Sequence, residues 1–146
     1  VLEMQKEGRH SMKELTIEAT VKNIETVTEF VNTQLEELNC PAKAVAQIDV
    51  AIDELLGNIA YYAYRPGTGP VTVRVEVIKD PLSVILTFID QGVPYNPLET
   101  SDPDISLSAE DREIGGLGIY IVKKSMDDIS YEYKDGKNIL KIKKKV

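Results

Sequence analysis

Glu54 and Asn58 stand four residues apart in a stretch with helical periodicity, so their side chains leave nearly the same helix face. Asp53 and Gly57 flank them. A carboxylate there can act as a general base toward a hydroxyl or a water. An amide oxygen can ligate a hard Mg²⁺ ion that also holds phosphate oxygens. A solvated helix face is the plain alternative. Asp90 closes an otherwise apolar run and leads into Gln91-Gly92. One reading is a strand-end turn, which Asp and Gly favour; the other is a buried carboxylate that accepts a hydrogen bond from an adenine amino group. Gly115-Gly116-Leu117-Gly118 precedes another helical stretch. Glycines allow close backbone approach to phosphates, and a helix N-terminus attracts anions; a flexible hinge is the alternative. The run is not a Walker motif, because no Gly-Lys-Ser/Thr follows, and it lacks the immediately preceding strand of a dinucleotide fingerprint.

The elements that must position these groups follow from periodicity. Lys13 to Ala19 alternates as a half-buried strand. From Val21 to Leu38, Ile24, Val27, Val31, Leu35 and Leu38 share one helical face. Asn39-Cys40-Pro41 breaks that helix, and a second runs from about Pro41 to Tyr64, buried through Ala44, Ile48, Ile52, Leu55 and Ile59. Val71 to Val77 alternates as a strand. Val84 to Ile89 is apolar on both faces, which predicts a central strand. Residues Tyr95 to Ile114 carry two prolines and no period, and so read as a long functional or disordered loop. A helix from Ile119 to Met126 and a hairpin, Ile129 to Lys134 with Asn138 to Lys145 about Asp135-Gly136, complete the chain. The order β-α-α-β-β-loop-α-β-β predicts an α+β fold, a mixed and mainly antiparallel sheet covered on one face by helices.

The 146 residues suit one domain, taken as residues 12–146, with residues 1–11 a non-native remnant or loose tail. A hydrophobic share of 42% and a charged share of 28% exclude a disordered chain. The net charge of −7 disfavours direct nucleic-acid binding. The basic run Lys141 and Lys143 to Lys145 reads as a solvated edge strand guarded by lysines. A single cysteine, Cys40, suits a cytoplasmic setting, and no apolar stretch is long enough for a bilayer.

Taken in order, acid and amide on a helix, Asp-x-Gly after a strand, a long loop and a glycine run opening a helix resemble the Bergerat-fold (GHKL) ATPase superfamily, which includes gyrase, heat-shock chaperone, sensor histidine kinase and mismatch-repair ATPase domains. The pattern is most similar to its anti-sigma-factor serine/threonine kinase branch, over about residues 13 to 145. Ile48 to Asn58 resembles the first box, Asp90-Gln91-Gly92 the second, and Gly115 to Gly118 with Ile119 to Val122 the third. The resemblance implies Glu54 as catalytic base, Asn58 as Mg²⁺ ligand, Asp90 as adenine reader and Gly92 lying against the base. It further implies Gly115, Gly116 and Gly118 at the phosphates and an ATP lid at about 95–114. Arg112, the one cation of that acidic lid, is a candidate phosphate contact, with a solvated surface arginine as the alternative. The implied activity is transfer of the γ-phosphoryl of ATP to a serine or threonine of an antagonist protein, together with sequestration of a sigma factor. A homodimer is left open. The alternative is a non-catalytic, nucleotide-dependent binding module. Three positions depart from the family pattern: Pro94 stands where a second glycine is usual, Tyr61-Tyr62-Ala63-Tyr64 where a histidine often follows, and Asn138 where a threonine is frequent. Tyr61, Tyr62 and Tyr64 suit either nucleotide stacking or rim packing.

Overall fold

A computed structural model describes residues 10–79, 81–99 and 116–146. Five antiparallel strands form one sheet in the order β1-β2-β3-β5-β4. They are β1 (His10–Glu18), β2 (Pro70–Ile78), β3 (Ser83–Asp90), β4 (Asp128–Lys134) and β5 (Lys137–Lys145). Among the described residues three α-helices accompany them, α1 (Ile24–Glu37), α2 (Ala42–Tyr62) and α3 (Gly116–Ser125), with short 3-10 turns at Val21–Asn23 and Pro97–Glu99. The α+β class and the largely antiparallel sheet expected from the alternating patterns are both present, and every strand pair described is antiparallel.

The strand period of two puts Val71, Val73, Val75 and Val77 of β2 on the face that also carries Val84, Leu86 and Phe88 of β3 and Leu140 and Ile142 of β5. All nine are buried. Against them the helical stripes deliver Val27, Val31 and Leu35 from α1 and Ile48, Ile52, Leu55 and Leu56 from α2, with Ile119 and Val122 from α3. Asn39, with φ 54°, ends α1: its N–H and that of Cys40 return to the carbonyls of Glu36 and Leu35. Asp135 and Gly136, both at positive φ, make the two-residue turn that pairs Lys134 with Lys137.

Two sequence expectations change. The first strand begins at His10, taking in His10 and Ser11, because β2 is long enough to pair them with Ile78 and Val77. The lysine-rich strand is not at an edge. β5 lies between β3 and β4, since the hairpin swings β4 outside it. Alternation then sets Lys141, Lys143 and Lys145 on the face opposite the helices, while Lys144 Nζ donates to the Ser125 carbonyl at 2.7 Å. Among the described residues no helix is long and apolar enough to cross a membrane.

Phe88 has no solvent exposure and sits on the central strand. Phe88→Ala is expected to cost about 3–5 kcal/mol of unfolding free energy, because the surrounding sheet and helices cannot collapse into the vacated volume. Urea titration of the variant against the wild type measures it.

Candidate functional site

Helix α2 does two jobs with one periodicity. Ile48, Ile52, Leu55 and Leu56 face the sheet and are buried, whereas Glu54 and Asn58, one turn apart, are half-buried. Beside Asn58 opens a narrow cleft, partly open to solvent. Leu55, Ile59, Val93 and Leu140 give it apolar walls, Tyr62, Tyr95 and Tyr131 contribute rings, and Asn58, Asp90 and Asn138 supply the polar groups. Walls of this kind suit a flat aromatic ligand with a few polar edge groups.

Asp90 reaches the cleft because β3 ends there, with the even-numbered side chains of that strand facing the helices. The residue is 5% exposed, a burial that is costly for an unpaired charge. Two donors offset part of that cost at one oxygen: Oδ1 accepts the Gly92 N–H at 2.9 Å and Asn138 Nδ2 at 2.9 Å. Burial raises the Asp90 pKa above the ordinary carboxylate range, and the hydrogen bonds from Asn138 and Gly92 pull it back. Among the described residues Oδ2 accepts no hydrogen bond, so one oxygen remains for a donor entering the cleft.

Glu54 does not line the cleft. It lies one helical turn away, against the first turn of α3: a methyl added at Gly118 would sit 2.0 Å from Glu54 Oε2 and 2.5 Å from its Cδ. A carboxylate beside the N-terminal turn of a helix is favourably placed. Desolvation raises the Glu54 pKa, and the neighbouring Asp53 raises it further. The shift moves the group toward the range in which a carboxylate serves as a base near neutrality.

The glycine run differs from expectation in form. Gly116 and Gly118 belong to the first turn of α3 and not to a loop ahead of it. Gly92 is packed against the end of α2, where an added methyl would meet the Ala63 carbonyl oxygen at 2.2 Å. The next N–H, of Val93, donates to that same carbonyl at 2.9 Å. Gly115 and Arg112 lie outside the described residues, as does the expected lid beyond Glu99. Of the three tyrosines near the end of α2, Tyr62 lines the cleft and stacks on Tyr95, with centroids 5.3 Å apart and planes at 30°. Tyr61 meets Tyr62 edge-on and lies under the Arg65 guanidinium. Tyr64 turns to the sheet instead: its hydroxyl donates to the Pro70 carbonyl at 2.6 Å and accepts the Gln91 N–H at 2.8 Å.

In the sequence Asn138 stands out only as a departure from a pattern, yet among the described residues it is the most connected polar side chain. It is 5% exposed and pairs directly with Asp90 across β3 and β5. The signal available in the sequence is a polar residue at a core-facing position of an otherwise apolar alternation, Asn138-x-Leu140-x-Ile142. Among the described residues no group of three or more His, Cys, Asp or Glu could hold a metal ion.

Residues 17–144 match the family described as the histidine kinase-like ATPase domain. The chain is 30% identical over 93 residues to the serine/threonine-protein kinase BtrW of Bordetella bronchiseptica, covering 64% of this chain and 65% of that protein. It is 30% identical over 98 residues to the serine-protein kinase RsbW of Bacillus mycoides, covering 64% and 60%. Against the RsbW of Listeria monocytogenes it is 28% identical over 107 residues, covering 69% and 66%. Each match thus spans a little under two thirds of the relative's length. In fold, it is similar to a crystal structure of the RsbU and RsbW domains of Rv1364c from Mycobacterium tuberculosis, with a TM-score of 0.65 at 16% identity over 92% of this chain and 32% of that one.

The two glycine contacts predict opposite outcomes. Gly92→Ala drives a methyl into rigid backbone and is expected to lower stability by about 1–3 kcal/mol or more. Gly118→Ala meets the movable end of a side chain and gains helix propensity, so its stability is expected to stay within about 1 kcal/mol of wild type. Thermal unfolding of both variants separates the cases.

Proposed function

The chain belongs to the histidine kinase-like ATPase domain family, and from that premise we propose that it binds ATP in the cleft between α2 and the sheet. We propose further that it transfers the γ-phosphoryl group to a serine or threonine of an antagonist protein and sequesters a sigma factor when that antagonist does not engage it. The observation that carries this reading is the meeting of distant segments. Asn58 of α2 and Asp90 of β3 share one cleft, and Glu54, a turn from Asn58, lies against Gly118 at the start of α3. The kinase names of BtrW and RsbW support the choice of reaction.

Each group then has work suited to its surroundings. The apolar walls would take the adenine ring, and the free Asp90 oxygen would accept its amino group. Asn58 would hold Mg²⁺, whose charge would help neutralise the phosphate oxygens. The first turn of α3, with no side chain at Gly116 and Gly118, would let phosphates approach the N–H groups of the helix start. Glu54 would accept the proton of the attacking hydroxyl, which needs its ionised form. Gly115 and Arg112 are further candidates at the phosphates.

Glu54→Gln keeps the shape and removes the base. Phosphate transfer to an antagonist domain is expected to fall about 10²–10⁴-fold while calorimetric ATP affinity persists. Asn58→Ala is expected to abolish the Mg²⁺-dependent part of that affinity. Absence of transfer by the wild type to any antagonist domain tested would leave a nucleotide-dependent binding module instead.

The raised Glu54 pKa predicts a pH effect of known sign. Protonation removes the base, so transfer is lost as pH falls through a value above that of an ordinary glutamate. Asp53→Asn removes the second cause of the shift. The acid limb of the rate profile is therefore expected to move to lower pH, without reaching that of a free glutamate, because desolvation remains. An unmoved limb would mean that Glu54 is not the titrating base.

A further inference from the structure

Resting on the reading of the cleft as an ATP site, we propose that Asn138 is a positioning residue for Asp90: it locks one carboxylate oxygen, leaves the other as the reader of the base's amino group, and ties that carboxylate to the chain leaving the cleft at Val93–Tyr95. The geometry assigns every hydrogen-bonding position of the amide. Nδ2 donates to Asp90 Oδ1 at 2.9 Å and to the Val93 carbonyl at 2.9 Å. Oδ1 accepts the Tyr95 N–H at 3.1 Å and the Tyr131 hydroxyl. A primary amide has two donor hydrogens and two acceptor lone pairs, and here all four are engaged.

No other short side chain fits that set. A threonine hydroxyl has one hydrogen, so it could hold Asp90 or the Val93 carbonyl but not both. An aspartate would bring no donor at neutral pH and a second negative charge beside Asp90. An alanine would leave the Asp90 oxygen, the Val93 carbonyl and the Tyr95 N–H short of partners in a buried setting. With Asn138 present, Oδ1 of Asp90 takes both of its donors from the protein, Gly92 N–H and Asn138 Nδ2, and the carboxylate plane cannot turn without breaking both. The remaining oxygen is then presented to the cleft in one orientation, which favours a ring with an amino group over one without it. The same amide reaches Tyr95, which stacks on Tyr62 at the cleft wall, so the base-reading group and that wall share one anchor.

The test uses the full chain and two nucleotides, Mg-ATP and the Mg complex of purine riboside triphosphate, in which hydrogen replaces the 6-amino group. Wild type is expected to prefer ATP by about tenfold or more, the value of a hydrogen bond to a charged acceptor. Asn138→Ala is expected to weaken ATP about tenfold and the analogue by less than about threefold, so that the preference collapses. Asn138→Thr, with one donor left for Asp90, is expected to retain an intermediate preference, and it carries the test alone if thermal unfolding shows the alanine variant to be unfolded. Equal weakening of both nucleotides, or an undiminished preference in both variants, overturns the proposal by reducing Asn138 to a packing role. A wild type that binds neither nucleotide overturns the ATP-site reading itself, a result separable from the failure of the Asn138 assignment alone.

Discussion

A carboxylate buried at the end of an apolar strand is the group that the surrounding structure has to accommodate. Left alone, Asp90 would be protonated or would unfold its neighbourhood, since burial penalises the charged form. The fold meets that demand locally. The β3–β5 register sets Asn138 opposite it, and the turn after β3 folds the Gly92 N–H back onto the same oxygen. That turn is itself tight against Ala63 at the end of α2, which only a residue without a side chain allows. The strand end, the hairpin partner and the helix end are thus held together by one ionisable group.

The second constraint is geometric. Helix α2 packs its apolar stripe on the sheet and carries Glu54 and Asn58 beside that stripe, where the helical and sheet layers part. The rigid packing of Ile48, Ile52 and Leu55 therefore sets where Glu54 and Asn58 stand. Helix α3 reaches Glu54 from the other side, and Gly118 lets the two come together closely. Functional groups borne on packed helices and strand ends hold their spacing better than groups borne on loops.

These arrangements agree with membership of the histidine kinase-like ATPase domain family. The local differences from the family pattern are not random. Where a threonine is frequent, Asn138 supplies a larger set of hydrogen bonds; where a histidine often follows, Tyr62 lines the cleft and stacks on Tyr95. Both positions line the same cleft as Asn58 and Asp90, whereas Glu54 stands outside it.

Alternating valines in β2, the 3.6-residue stripes of α1 and α2 and the Asp135-Gly136 turn were legible in the sequence, because each depends on backbone periodicity and on neighbours a few residues apart. So was the pairing of Glu54 with Asn58, which needs only one helical turn, and the order of motifs was enough to suggest the family. Strand order was not legible. Nothing local tells that β5 inserts between β3 and β4, so its lysines read as an edge and Asn138 as an oddity. The contact of Asn138 with Asp90, 48 residues away, arises from register. The closeness of Glu54 to Gly118 arises from helix packing. Both are set by how hydrophobic faces bury one another across the whole chain, and only the tertiary structure decides which distant polar groups are carried along with them.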